Sequence, residues 1–299
     1  MLLAALLACA SLAAADEACD DRGVVLQVLG SGGPIADDGR SSAAYLVWHQ
    51  GKSRVMVDSG GGAFLRFGEA GASFDELDYI AISHFHTDHS ADLVTFLKTG
   101  NFSSRERPLG ISGPSGDGPF PSLDSYLASM IGPGGAYAYL SGYLDGSGAL
   151  VKLESTTIDA SARDSQQVYS GNDIVITGTG VPHGIVPAIA YRVKIDGREV
   201  VFASDQNGND ETFIDFARDA DVLVMHMVVP ENVTGAGRAL HAPPSRIGEI
   251  AAAANVKSLV LSHFMARSLS DLDGNVARVR EHYDGPLHLA DDLMCLEVR

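Results

Sequence analysis

The sequence predicts an α/β protein in which two β-sheets pack face to face under helices, and three observations carry that expectation. Short runs rich in Val, Ile and Tyr recur between clusters of Gly, Ser and Asp. These runs dominate the first part of the chain and then alternate with helical stretches, so both halves contribute strands. Finally, the 299 residues are 45% hydrophobic, enough to fill the core of one large domain.

Residues 1–15 carry no charged side chain; an apolar run over 2–8 is followed by small residues before Asp16. This reads as an export signal, placing the mature chain in the periplasm or outside the cell. A lipoprotein signal with Cys9 as the acylated residue is the alternative. The segment is too short to span a bilayer, so no transmembrane anchor is expected. Strands are expected at 24–29, 44–48, 54–58 and 79–83, each an apolar run closed by turn-forming residues. The stretch 108–147 differs, with Gly and Pro around one candidate helix at 123–130. It reads as an insert or lid inside a single domain over 16–299. Further strands follow at 173–178, 188–195, 199–204, 222–227 and 258–262, with helices at 212–217 and 245–254. No repeat of fixed period is present.

With 38 acidic against 21 basic side chains, the formal charge of -17 repels polyanions. A small-molecule substrate is therefore expected, with no nucleic-acid partner; a homodimer is compatible with this reading. Removing residues 1–15 leaves Cys19 and Cys295 at opposite ends of the chain. Export exposes thiols to an oxidising compartment and domain termini are often neighbours, so a Cys19–Cys295 disulfide is expected.

The sharpest chemical signal is His84-Phe85-His86-Thr87-Asp88-His89, directly after an apolar strand. Three imidazoles and a carboxylate in six residues form a donor set that suits zinc. His183, Asp205 and His263 also each follow an apolar run. Together these seven donors suffice for two metal ions sharing one carboxylate and one water.

The motif His84-x-His86-x-Asp88-His89, with His183, Asp205 and His263 downstream, resembles the metallo-β-lactamase fold, an αββα four-layer sandwich of two related halves. The resemblance implies that His84, His86 and His183 hold one Zn2+, that Asp88, His89 and His263 hold the other, and that Asp205 bridges them. Mn2+ or Fe2+ would suit the same donors. Leu29-Gly30-Ser31-Gly32-Gly33-Pro34, Val57-Asp58-Ser59-Gly60, Ser204-Asp205 and His241 resemble the ribonuclease Z and arylsulfatase-like branch, whose members hydrolyse phosphodiesters or sulfate esters. An aspartate at position 205 is normally absent from classical zinc β-lactamases, which favours ester over lactam chemistry.

By the same resemblance, Asp88 and Asp205 orient a hydroxide that the ions supply, and His241 assists the leaving group. Asp58 orients a ligand histidine from outside the ions' own donor set. A His-Glu pair usually supports the histidine matching His241; here it reads His226-Met227, so the acid is missing and Glu231 is the candidate substitute. The branch's long basic RNA-gripping arm is not evident, which points to an exported hydrolase of a small phosphodiester or sulfate ester. The competing functions are β-lactam hydrolysis, lactone hydrolysis and zinc-dependent binding. His49, His282 and His288 fall outside the ligand spacing, Trp48 reads as a packing residue, and Asp291-Asp292 as a solvated turn.

Overall fold

Alternate residues of the first strand, β1 (Val24–Gly30), enter two different cores. Leu26 and Val28 pack with residues of a second sheet, whereas Val25 and Leu29 pack under helices. Covering both faces explains why the strand reads as one continuous apolar run. The structure, a computed structural model, describes Cys19 and residues 23–299. Residues 1–15, with the expected signal and Cys9, lie outside the described residues.

After β1, the first sheet runs through β2 (Ala44–His49), β3 (Lys52–Val57), β4 (Tyr79–Ala81), β5 (Leu109–Pro114) and β6 (Leu153–Ile158). Pairing is antiparallel up to β3 and parallel beyond it. The second sheet comprises β7 (Gln166–Gly171), β8 (Ile174–His183), β9 (Val186–Ile195), β10 (Arg198–Phe202), β11 (Val222–His226), β12 (Leu259–Ser262) and β13 (Leu287–Leu289). It too begins antiparallel and turns parallel, here after β10. A last short strand, β14 (Cys295–Glu297), returns to pair with β1.

Helices Ala63–Glu69, Leu93–Gly100 and Leu123–Ile131 cover the first sheet, and Thr212–Ala217, Pro244–Ala253 and Leu272–Arg280 the second. The layers thus run helix, sheet, sheet, helix. Phe96 packs edge-on against Phe64 and Phe67, at ring separations of 5.4 and 5.1 Å, and locks two of the outer helices together.

The segment 108–147 departs from expectation at its start. β5 is buried at every position between β4 and β6, so the stretch outside the sheets runs over 115–152, and residues 115–150 make up nearly all of it. Gly110 hid this strand: a Cβ there would lie 2.3 Å from the Tyr79 ring, so close packing demands a residue of low β propensity. The edge strands β6 and β7 are polar on an exposed face and also gave no strand signal. The solvated-turn reading applies to Asp291 alone. Asp292 accepts hydrogen bonds from Ser31 N and Oγ, Ser41 N and Arg66 Nε, at 3.0, 2.8, 2.8 and 3.2 Å. Cys19 and Cys295 are joined by a disulfide with Cα atoms 5.7 Å apart. Among the described residues no helix is long and apolar enough to cross a membrane.

Candidate metal centre

The ends of β3, β4, β8, β10, β11 and β12 converge on one buried pocket. His84 and His86 leave the end of β4, and the one-turn helix Thr87–Ser90 carries Asp88 and His89. Asp58, just after β3, accepts from Ser83 N at 2.7 Å, Ser83 Oγ at 2.8 Å and His89 Nδ1–H at 2.8 Å. Those bonds fix the His89 tautomer and turn its Nε2 inward. Gly60 allows the approach, since a Cβ there would sit 2.1 Å from the Asp88 carbonyl oxygen.

The second sheet delivers the opposing wall. His183 ends β8 and donates from Nδ1 to the Leu240 carbonyl at 2.9 Å, which leaves Nε2 without a protein partner. Asp205 follows β10, and His263 follows β12 with its ring against Gly33. Asp58, Ser204 and His263 have φ of 58°, 60° and 57°, a left-handed conformation sparsely populated by residues other than glycine.

Three overlapping donor groups form, one of them Asp205 with His226 and His263. His84, His86, His183 and Asp205 each bring a ligand atom within 4.8 Å of the others, and so do Asp88, His89 and His263. Asp205 lies between the groups, with Oδ2 3.7 Å from both His183 Nε2 and His89 Nε2, and Oδ1 3.5 Å from His263 Nε2. Imidazole nitrogens face one another at 3.1 Å (His84 with His86) and 3.0 Å (His89 with His263). Several lone pairs aimed at one space call for a cation there.

The electrostatics agree. Burial, aided by neighbouring imidazoles, holds His84, His86 and His183 below the usual histidine range, in the neutral form that ligates metal. Burial opposes charge on His89 and His263 as well. There the carboxylates of Asp58, Asp88 and Asp205 around His89, and of Asp205 and Asp88 around His263, outweigh it and push both upward. The negative field that stabilises a protonated imidazole equally stabilises a divalent ion. Burial raises Asp88 and Asp205, but the surrounding histidines reverse this and keep both ionised. The donor set therefore fits metal ions.

The family model for the Metallo-beta-lactamase superfamily matches residues 37–225, which include six of these donors. The chain belongs to this superfamily. A ribonuclease Z from Archaeoglobus fulgidus is 26% identical over 301 residues, covering 90% of this chain and 96% of that protein. Human tRNase Z, short form, superposes with a TM-score of 0.69 at 18% identity, over 92% of this chain and 99% of its own. A diphosphatase from the PhnP family superposes at 0.60 with 15% identity, over 92% of this chain and 98% of its own. These relatives overturn the expectation of no nucleic-acid partner. A charge of -17 is summed over the whole molecule, whereas substrate meets the local field of a pocket built to hold cations.

Within this superfamily chain, His241 follows the helix Gly235–Leu240, with Nδ1 3.9 Å from Asp205 Oδ2 and no hydrogen-bond partner. Burial lowers it to about 3, so the ring is neutral. Glu231 does not support it: its carboxylate accepts from Ser245 N at 2.8 Å and Oγ at 2.6 Å, tying down the start of Pro244–Ala253. Met227 is buried in the core. The sequence motifs assign His226 no role at the site, yet its Nδ1 lies 2.7 Å from Asp205 Oδ1, and burial lowers it to about 4. Its position at the end of a buried apolar strand, as His183 stands at the end of β8, is the available signal.

His49 pairs with Asp196 at 3.5 Å, His282 lies 3.9 Å from Glu249, and His288 sits on β13, all outside the donor groups. A cavity of about 440 Å³ beside His183 is lined also by Asp117, Ser161, Arg163 and Ile185. The 115–150 segment leans on the metal motif through Tyr126, stacked on Phe85 at 4.4 Å, and Phe120, whose ring is 6.2 Å from that of His86.

Proposed function

We propose that this chain is a two-metal phosphodiesterase. The observation that carries the proposal is that two buried donor groups meet at a single carboxylate, Asp205. In this reading His84, His86 and His183 hold one Zn2+, Asp88, His89 and His263 hold the second, and Asp205 is shared. Such ions, when bound, act as Lewis acids and make water a nucleophile at neutral pH. The protein's part is orientation. Asp58 holds His89 in one tautomer, and the Leu240 carbonyl does the same for His183. His241, neutral and with a free ring nitrogen, is placed to hydrogen-bond a substrate oxygen. The 115–150 segment and the cavity beside His183 form the wall that meets the rest of the substrate.

The ribonuclease Z relatives support a phosphodiester over a sulfate ester, lactam or lactone. The Cys19–Cys295 disulfide supports export, since such bonds persist in oxidising compartments. The test assays the purified, metal-quantified chain on bis(p-nitrophenyl) phosphate, a tRNA precursor, p-nitrophenyl sulfate and nitrocefin. Turnover of a phosphodiester, lost on chelation and restored by zinc, is the expected result. Turnover of the sulfate or nitrocefin with neither phosphodiester cleaved would overturn the proposal.

A further inference from the structure

His226 is buried at the site, yet both its nitrogens are already engaged. Nδ1 lies 2.7 Å from Asp205 Oδ1, and Nε2 lies 3.0 Å from the Tyr45 hydroxyl, itself 3.0 Å from Ser262 Oγ. A carboxylate only accepts hydrogen bonds, so Nδ1 carries the proton and donates it, which leaves Nε2 as an acceptor facing the Tyr45 hydroxyl. No lone pair of His226 is left for an ion, although its position beside Asp205 and His263 otherwise has ligand spacing. The chain of bonds crosses the sandwich: Tyr45 belongs to β2, His226 ends β11 and Ser262 ends β12, and all three are buried.

We propose that His226 and Tyr45 are positioning residues that set the rotation of the Asp205 carboxylate. This rests on the reading of Asp205 as the shared ligand. With Oδ1 held by His226, Oδ2 is left 3.7 Å from one histidine of each donor group, His89 and His183. Tyr45 acts one step further out. Its hydroxyl favours one orientation of the imidazole, because a flipped ring would set a C–H against the Tyr45 oxygen as well as against Asp205.

Zinc affinity, measured by competition with a chromophoric chelator, and kcat and KM on bis(p-nitrophenyl) phosphate test this in the full-length chain. His226→Leu should weaken zinc binding by roughly 10- to 100-fold. It should lower kcat while KM stays within about twofold of the unaltered chain, because the lost interaction does not touch substrate. His226→Asn, whose amide N–H takes the place of Nδ1–H, should recover most of both losses. Tyr45→Phe should give a smaller fall of the same sign, and it remains informative if His226→Leu does not fold, since it removes a single oxygen. Unchanged zinc affinity and kcat in His226→Leu and Tyr45→Phe would overturn the inference while leaving the two-metal reading intact. A His226→Asn variant as impaired as His226→Leu would overturn it too, because packing or direct ligation would then be the role of the ring. An unaltered chain that binds no zinc would remove the two-metal reading itself, and this inference with it.

Discussion

In the first sheet, four ligand-type side chains arrive within six residues after one strand, whereas the second brings His183, Asp205, His226 and His263 from four separate strand ends. The first arrangement is local. Its geometry follows from a turn, a one-turn helix and Asp58 bracing the motif from the neighbouring strand. The second depends on register across β10, β11 and β12, where Phe202 pairs with Val224 and His226 with Ser262. A slip of one residue would turn these side chains to the other face of the sheet. One centre is thus assembled from a half carried largely by one short segment and a half set by register across separate strands.

Substitutions at Asp205 and His86 separate these contributions most sharply. Asp205→Asn should abolish turnover and lose both zinc ions, because the shared carboxylate serves both groups. His86→Ala should also abolish turnover but keep one ion, as metal analysis of the purified variants would reveal. Equal zinc content in the two variants would break the distinction between a shared and a private ligand. His241→Ala comes next: kcat should fall by roughly 10²- to 10⁴-fold with zinc content unchanged, the mark of a group that meets substrate without ligating metal. Loss of zinc in that variant would move His241 into the donor set.

Asp58→Asn probes the bracing of the local half and should weaken zinc binding by roughly 10- to 100-fold while leaving the fold intact by circular dichroism. The smallest effect on the centre is expected from Cys295→Ser. The folded variant should turn over normally but lose about 2–5 kcal/mol of stability, read as a lower midpoint in denaturant. A fall in kcat without a fall in stability would show that β14 reaches the site through the Asp292 contacts with Ser31 and Ser41.

Much of this was legible in the residues. β1 and most of β2 are apolar runs, β3 ends in one that Asp58 closes, and the motif from His84 to His89 announces its chemistry by spacing alone. Other elements gave misleading signals for physical reasons. β5 carries Gly110 because the Tyr79 ring occupies the space a side chain would need. Asp292 resembles any acidic turn, and only its contacts with residues more than 220 positions away make it a hub. Glu231 looked free to support His241 until the fold placed it against Ser245.

The sequence by itself determined the layered α/β class, the local donor motif and the positions after apolar runs where His183, Asp205 and His263 stand. Backbone periodicity and short-range spacing carry that information, because they act within a few residues. Only the tertiary structure decided that Asp205 sits between the two groups, that His226 and Tyr45 hold it, and that Glu231 does not reach His241. Those contacts join residues from different strands and from both sheets. They are set by strand register and sheet packing, which no single segment of the chain encodes.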